Sequence, residues 1–352
     1  MVYYYTMFFF IGMCFLYFVN NKWDKQTREN FTTLVGIPFL IMLLIYVGFR
    51  PIYINSGDMP SYLNYFNDFE NAFMFDANTK DVAFYAFMWL CSKFMNAEYF
   101  FFTLTAIYIL CVYFACKKWF DTDWFIPFLF LVITLEFYLY GINGVRNGVA
   151  TSIFIFAVSR SNFLVKLVLF YLVINIHRSA AIPCIAYLLS FIYFNPKYYI
   201  LAWLSCIPLS LLFGTFFEEQ FQLLFPDGDT VTEYFQKGWY EDKFSSAGFR
   251  WDFIIYSVIG VALGGYYTIK LKFNDVVYNR LFGTYLATNA LWILLIAMSY
   301  SNRMAYLSWC ILGLVISYPL VKTNFLKKQS TFVAGLMLCY FLITFYINSR
   351  FF

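Results

Sequence analysis

Apolar runs of about 15 to 24 residues, nearly free of charge, recur along the whole 352-residue chain. Wound as helices at ~1.5 Å per residue, such runs reach ~22 to ~36 Å, which brackets the ~30 Å hydrocarbon core of a bilayer. Inside that core each backbone N–H and C=O must find its partner within the segment, which a helix provides. Charged residues make up only 12% of the chain and hydrophobic ones 62%, with a mean hydropathy of +0.65. A soluble domain of this size has no core large enough to hide that surface. The expected fold is therefore an all-α polytopic membrane protein, a single integral membrane domain over residues 1–352 with about twelve transmembrane helices. The expected spans are 3–19, 31–49, 99–116, 124–140, 147–159, 164–176, 180–194, 198–214, 251–269, 276–299, 304–321 and 331–348. The first has no basic residue before it and no small-residue cleavage site after it, so it reads as a retained helix. Polar segments near 50–81 and 215–250 stand apart as loops.

Val82–Met95 decides the topology. It is short for a crossing and contains Lys93, which suits a re-entrant or interfacial helix. If it does not cross, one face gathers a mostly lysine set that includes Lys22, Lys25, Lys117, Lys118, Lys270, Lys272, Lys327 and Lys328. The positive-inside rule assigns that face to the cytoplasm. The two polar loops and both termini then face outward, together with Arg50, Arg146, Arg178, Arg250, Arg303 and Arg350. Orientation needs no arginine on the outer face, so these six ask for another reason. Guanidinium is a planar, permanently charged fork that grips phosphate with two parallel bonds, and an anionic ligand is the expected partner.

Several function classes are excluded. The eight cysteines are scattered through apolar runs without a CxxC pair, and the chain has one histidine, so neither a zinc cluster nor a disulfide framework is expected. No P-loop or dinucleotide fingerprint occurs. A net charge of +4, spread over short loops, does not describe a nucleic-acid binder. Asp121-Thr122-Asp123 resembles a metal-binding DxD, but it lies in a short connector with no α/β nucleotide fold around it. No cofactor or metal is expected.

The candidate residues cluster at span ends. In FRPIYINSGDMPSYLNYF, Arg50 closes a span and a Gly57-Asp58 turn leads into Tyr62, Tyr65 and Phe66 at helical spacing. This reads equally as a substrate-facing loop or as an amphipathic surface helix capped by Asp58. In YGINGVRNGVA, Arg146 opens a helix, where exposed amides plus a guanidinium form an anion site. Glu136 lies just inside the preceding span, as a functional carboxylate or as an ion-pair partner of Arg146. The only histidine, His177, sits beside Arg178 at a helix junction followed by small residues. In GFRWDF, Arg250 and Asp252 flank Trp251, as ligand contacts or as a local ion pair beside an interfacial tryptophan. In NRMAYLSW, Arg303 and Tyr306 are one turn apart at another outward helix start.

The ordered set FR…GD…Y…Y, NGVRNGVA, IHRSA, GFRWDF and NRMAYLSW, from Arg50 to Trp309, resembles the EpsG-like branch of the Wzy-type bacterial O-antigen and capsule polymerases. Many relatives carry Gly-Thr-Asp-Tyr in the first loop. This chain has Ser56-Gly57-Asp58-Met59, with Tyr62 later, so roles for that Thr and Tyr do not transfer. The resemblance implies a GT-C-like glycosyltransferase of the bacterial inner membrane with its active site on the periplasmic side. Its donor and acceptor would be glycans on undecaprenyl diphosphate, and its partners a flippase and a chain-length regulator. Arg146, Arg178, Arg250 and Arg303 would then clamp the diphosphate in one pocket, with Arg50, Tyr62, Trp251 and Tyr306 also at the substrate. Asp58, His177, Asp252 and Glu136 are the candidate bases. A flippase or transporter, an O-antigen ligase, and a polysaccharide O-acyltransferase with His177 as base are the alternatives. A transporter should show repeat symmetry and polar groups through the midplane, whereas here no internal repeat is seen and the charges concentrate near one face.

Overall fold

The computed structural model describes residues 2–52, 57–71, 80–224, 249–298 and 301–349. Ser56, Lys237, Lys243 and Arg350 lie outside the described residues. Every regular element among the described residues is helical, and the chain divides into two compact units.

The first unit comprises Met1–Cys184 and Leu320–Phe352. It opens with α1 (Val2–Asn20), α2 (Lys25–Phe31) and α3 (Ile37–Gly48), the last two joined through a π-helical turn at Thr32–Gly36. Next come α4 (Met59–Asn71), α5 (Val82–Ser92), α6 (Ala97–Phe120), α7 (Phe125–Val132), α8 (Leu135–Ile142), α9 (Val145–Ser159) and α10 (Phe163–Ile176). Side-chain caps start several of them. Asp24 accepts from the Thr27 N–H for α2, Asn96 from Tyr99 for α6, and Asn162 from Leu164 and Val165 for α10. In the Asp121–Asp123 turn Asp123 grips Arg28 with two bonds of 3.0 Å, Thr122 donates to Glu29, and the exposed Asp121 meets Lys117 at 3.4 Å. That is the chemistry of a helix-end latch. Among the described residues no group of His, Cys, Asp and Glu side chains is arranged to hold a metal ion.

The second unit is Ile185–Pro319. It contains most of α11 (Ala181–Ile192), then α12 (Pro196–Leu224), α13 (Trp251–Gly265), α14 (Val276–Leu294), α15 (Ser301–Trp309) and most of α16 (Leu312–Lys322). Its core is pinned by a buried polar knot on Asn289. That amide accepts from Trp203 at 2.7 Å and donates to Ser257 and Ser308 at 3.0 and 2.8 Å, and Trp309 also donates to Ser257. Each partner is satisfied, so the knot fixes register without an orphaned group. The last helix, α17 (Gln329–Ser349), returns to the first unit, where it lies along α1 and Ser330 donates to the Phe18 carbonyl.

The chain is thus a multi-pass helical membrane protein, and among the described residues fewer than twelve helices have the length and apolar content of a full crossing. Among the described residues seven helices are long and apolar enough to span a bilayer: Val2–Asn20, Lys25–Gly48, Ala97–Asp123, Pro196–Phe221, Trp251–Lys270, Ser301–Lys322 and Gln329–Ser349. The bent pair α7–α8 has the geometry of a broken span, which brings the number to eight, or of a re-entrant loop, which leaves it at seven. The expected span 124–140 breaks because Thr134 adopts an extended backbone and turns its hydroxyl onto the Leu131 carbonyl, and α8 leaves at 75° to α7. The expected spans at 147–159, 164–176 and 180–194 are helices of 15, 14 and 12 residues, shorter than the ~20 residues a crossing takes. The expected span at 276–299 is α14, whose Asn279, Arg280, Thr284, Thr288 and Asn289 dilute its apolar character. Val82–Ser92, at 11 residues, is ~16 Å long, the length of an interfacial or re-entrant helix.

Candidate active site

The first unit gathers several of the predicted residues around one that the sequence did not single out, Asp81. Its carboxylate lies 2.8 Å from Nη1 of Arg146, 3.5 Å from Nδ1 of His177, and accepts the backbone N–H of Arg178 at 3.0 Å. Asp81 precedes α5 but does not cap it with its side chain, because that side chain is committed to the cluster. Its backbone adopts φ +55°, ψ +44°, a left-handed conformation that Asp tolerates better than most residues. Strain at a buried charged residue is a mark of a functional position. Burial pushes the Asp81 carboxyl up, but His177, Arg146 and the Arg178 N–H together outweigh it and hold the carboxyl below the usual carboxylate range.

Three chain segments deliver the partners. The α8–α9 turn delivers Arg146. Asn143 ends α8, and Gly144 precedes the first turn of α9. A cation at a helix N-terminus opposes the backbone dipole, so Arg146 is held there by other groups. Asp81 supplies the counter-charge, Tyr85 Oη accepts from Nη1 at 3.4 Å, and the guanidinium lies 5.9 and 6.0 Å from the Tyr62 and Tyr85 ring centres. Nε of Arg146 is buried without a hydrogen-bond partner. The α10 end delivers His177, whose extended backbone breaks the helix, and Arg178 starts a 3₁₀ turn. The Arg178 guanidinium is exposed, and among the described residues it forms no ion pair.

The 57–71 segment completes the cluster. The Asp58 N–H donates to Oδ1 of Asn143 at 2.7 Å, tying this loop to the α8–α9 turn. Gly57 makes the approach possible, since it has φ +70° and a Cβ there would lie 2.1 Å from that same Asn143 oxygen. The Asp58 carboxylate adds to the negative field on Arg146. Tyr62 is buried and Tyr65 exposed, and Tyr65 meets the Tyr85 ring edge-on at 5.6 Å.

Other candidates occupy different settings. Arg50 turns its donors onto protein: Nε onto the Ile142 carbonyl, Nη1 onto Val47 and Thr105, and Nη2 toward the Met59 sulfur. It staples the end of α3 to α6 and α8. Glu136 is 2% exposed, with Oε2 unpartnered just past the α7–α8 break. The ion pair between Glu136 and Arg146 that the sequence allowed is replaced by Arg146–Asp81. Within the second unit Arg250 holds Asp252 through two bonds of 2.9 and 2.7 Å and stacks 3.8 Å over Phe253, as the local-pair reading described. Trp251 is half exposed beside Phe249. Arg303 is half-buried in the first turn of α15, and Tyr306 is buried against Trp309, accepting from Asn302 at 3.4 Å.

A helical multi-pass membrane protein with a guanidinium–carboxylate–imidazole cluster at its helix ends is the class these observations define. Residues 32–351 match the EpsG family, and the chain belongs to it. No curated protein and no solved structure matches the chain.

Proposed function

We propose that this protein is a glycosyltransferase that polymerises undecaprenyl-diphosphate-linked oligosaccharide units into O-antigen or capsular polysaccharide on the periplasmic side of the bacterial inner membrane. Family membership supports the polymerase class. The observation that carries the reading to chemistry is the Asp81 cluster, with two arginines and the only histidine drawn to one carboxylate.

In this reaction the acceptor hydroxyl oxygen bonds to the anomeric carbon of the donor, and the bond from that carbon to the diphosphate oxygen breaks. The diphosphate leaves with the electron pair, and the hydroxyl proton goes to a base. Negative charge grows on the leaving group as the bond breaks, so fixed guanidiniums act more strongly on the transition state than on bound substrate. Arg178, exposed and forming no ion pair among the described residues, and Arg146, held by Asp81 and two tyrosines, are the proposed clamp. In the second unit Arg250 and Arg303 are the proposed anion ligands, with Asp252 yielding part of the Arg250 fork when phosphate binds. His177 is the proposed base, with Asp81 orienting its Nδ1 so that Nε2 receives the proton. Asp58, Asp252 and Glu136 are the other proposed bases. Tyr62, Trp251 and Tyr306 offer aromatic faces to sugar, and Arg50 shapes the loop that presents them. A flippase supplying the donor and a chain-length regulator are the proposed partners, within a GT-C-like architecture.

Deletion in the native host, followed by gel analysis of surface glycan, tests the assignment. A polymerase leaves single repeat units on the lipid anchor. Loss of all surface units points to a flippase or ligase, and full-length chains lacking a substituent point to an acyltransferase.

A further inference from the structure

At the ends of α6 and α9 remote from Arg146, Phe114, Lys117, Lys118, Asp121, Phe156 and Arg160 line an open groove of about 530 Å³. Arg146 opens α9 and Arg160 closes it, which places the two ends ~21 Å apart along the helix. The groove is therefore separate from the Asp81 cluster. Its size lies in the ~300–1,000 Å³ range of ligand clefts.

Charge and shape there agree on one kind of ligand. Arg160 stacks 4.1 Å over the Phe156 ring, and its bonds run to its own helix end: Nε to the Phe156 carbonyl and Ser159 hydroxyl, and Nη2 to Ser159 at 2.7 Å. Among the described residues no carboxylate pairs with Arg160 or with Lys118. Lys117 has Asp121 at 3.4 Å, an exposed pair of small energetic weight. The groove thus carries three cations against one carboxylate. The Phe114 ring is about half exposed, and just past Arg160 the first turn of α10 exposes Phe163, Leu164 and Val165. An ion without a tail would find the cations but leave these apolar faces uncovered. A phospholipid satisfies both, with its headgroup phosphate on the basic rim and its acyl chains along the rings.

We propose that this groove is a binding site for an anionic phospholipid, in the leaflet that the lysine distribution assigns to the cytoplasm. Lys118 and Arg160 take the phosphate, Lys117 shares it with Asp121, and Phe114 and Phe156 seat the chains. Membrane charges near a basic cluster contribute about a factor of five per residue, so two unpaired cations give roughly 30-fold selectivity for an anionic over a zwitterionic headgroup.

Native mass spectrometry of the full chain, titrated with phosphatidylglycerol or phosphatidylethanolamine, tests this. Wild type should bind phosphatidylglycerol roughly 30-fold more tightly, and Lys117→Gln/Lys118→Gln/Arg160→Gln should lose that preference. The charge-matched control Lys22→Gln/Lys25→Gln/Lys272→Gln should keep it. Arg160→Gln alone, a milder change, should lose part of it with an unchanged melting curve. Excess inorganic phosphate should leave the lipid bound. Equal binding of the two lipids by wild type, equal losses in test and control triples, or displacement by phosphate would overturn the site.

Discussion

Arg146 and Asp81 are the pair on which the site's chemistry turns, and each breaks a local rule. Arg146 stands where a helix dipole disfavours a cation, and Asp81 holds a left-handed backbone in a nearly buried setting. Arg146→Lys keeps the charge but loses the planar fork. It should cut chain extension by about 100-fold, the cost of one lost transition-state donor, with an unchanged melting curve. Asp81→Asn keeps the turn conformation but removes the counter-charge and the orienting acceptor for His177. It should cost about 1–3 kcal/mol at pH 7 because a half-buried Arg146 loses its partner. The pH dependence has a definite sign. The folded carboxyl is held below its unfolded range, so its stabilisation is complete above about pH 4 and disappears as pH falls through the folded value. Thermal unfolding of wild type and Asp81→Asn should therefore differ at pH 7, and the difference should shrink as pH falls below the ordinary carboxylate range and through the lower folded value. Arg146, His177 and Arg178 were legible in the sequence because each breaks an apolar pattern at a span end. Asp81 was not, because an acid preceding a short helix reads as an ordinary cap, and only the fold shows its side chain turned away from that duty.

Elements position these residues by interrupting themselves. The Gly57–Asp58 turn clips onto Asn143, the α8–α9 junction presents Arg146, and the α10 end presents His177. Gly57→Ala drives a methyl into the Asn143 amide at an unfavourable φ. It should destabilise the protein by about 1–3 kcal/mol and lower activity with it. Gly335→Ala, in α17 with nothing within 4 Å of its new methyl, should be neutral or stabilising by up to about 1 kcal/mol; paired melting curves separate the two. Helix α5 carries the topological claim. Cysteines placed at Lys80 and Lys93, on its two flanks, should both react with an impermeant thiol reagent added from outside. Reaction of one from each side would make α5 a crossing and invert everything after it. Hydropathy located all twelve predicted segments on helices, but among the described residues only some have the length and apolar content of a full crossing. Apolar content does not report length across the bilayer, and the 75° break at Thr134 has no proline or glycine to announce it.

At the scale of the molecule, membership of the EpsG family and a helical multi-pass fold agree with the composition that first ruled out a soluble domain. The chain's arginine-bearing stretches fall into both compact units, with NGVRNGVA and IHRSA in one and GFRWDF and NRMAYLSW in the other. Each set supplies arginines near helix starts. The central claim is that guanidinium groups, Arg146 foremost, draw the lipid diphosphate away from the sugar as the new glycosidic bond forms. The most direct measurement uses purified protein in liposomes supplied with undecaprenyl-diphosphate-linked repeat units, and counts released undecaprenyl diphosphate against glycosidic bonds made. Wild type should release one lipid diphosphate per bond, and Arg146→Lys should slow both together by about 100-fold. Wild-type rates and chain lengths from Arg146→Lys would contradict the account.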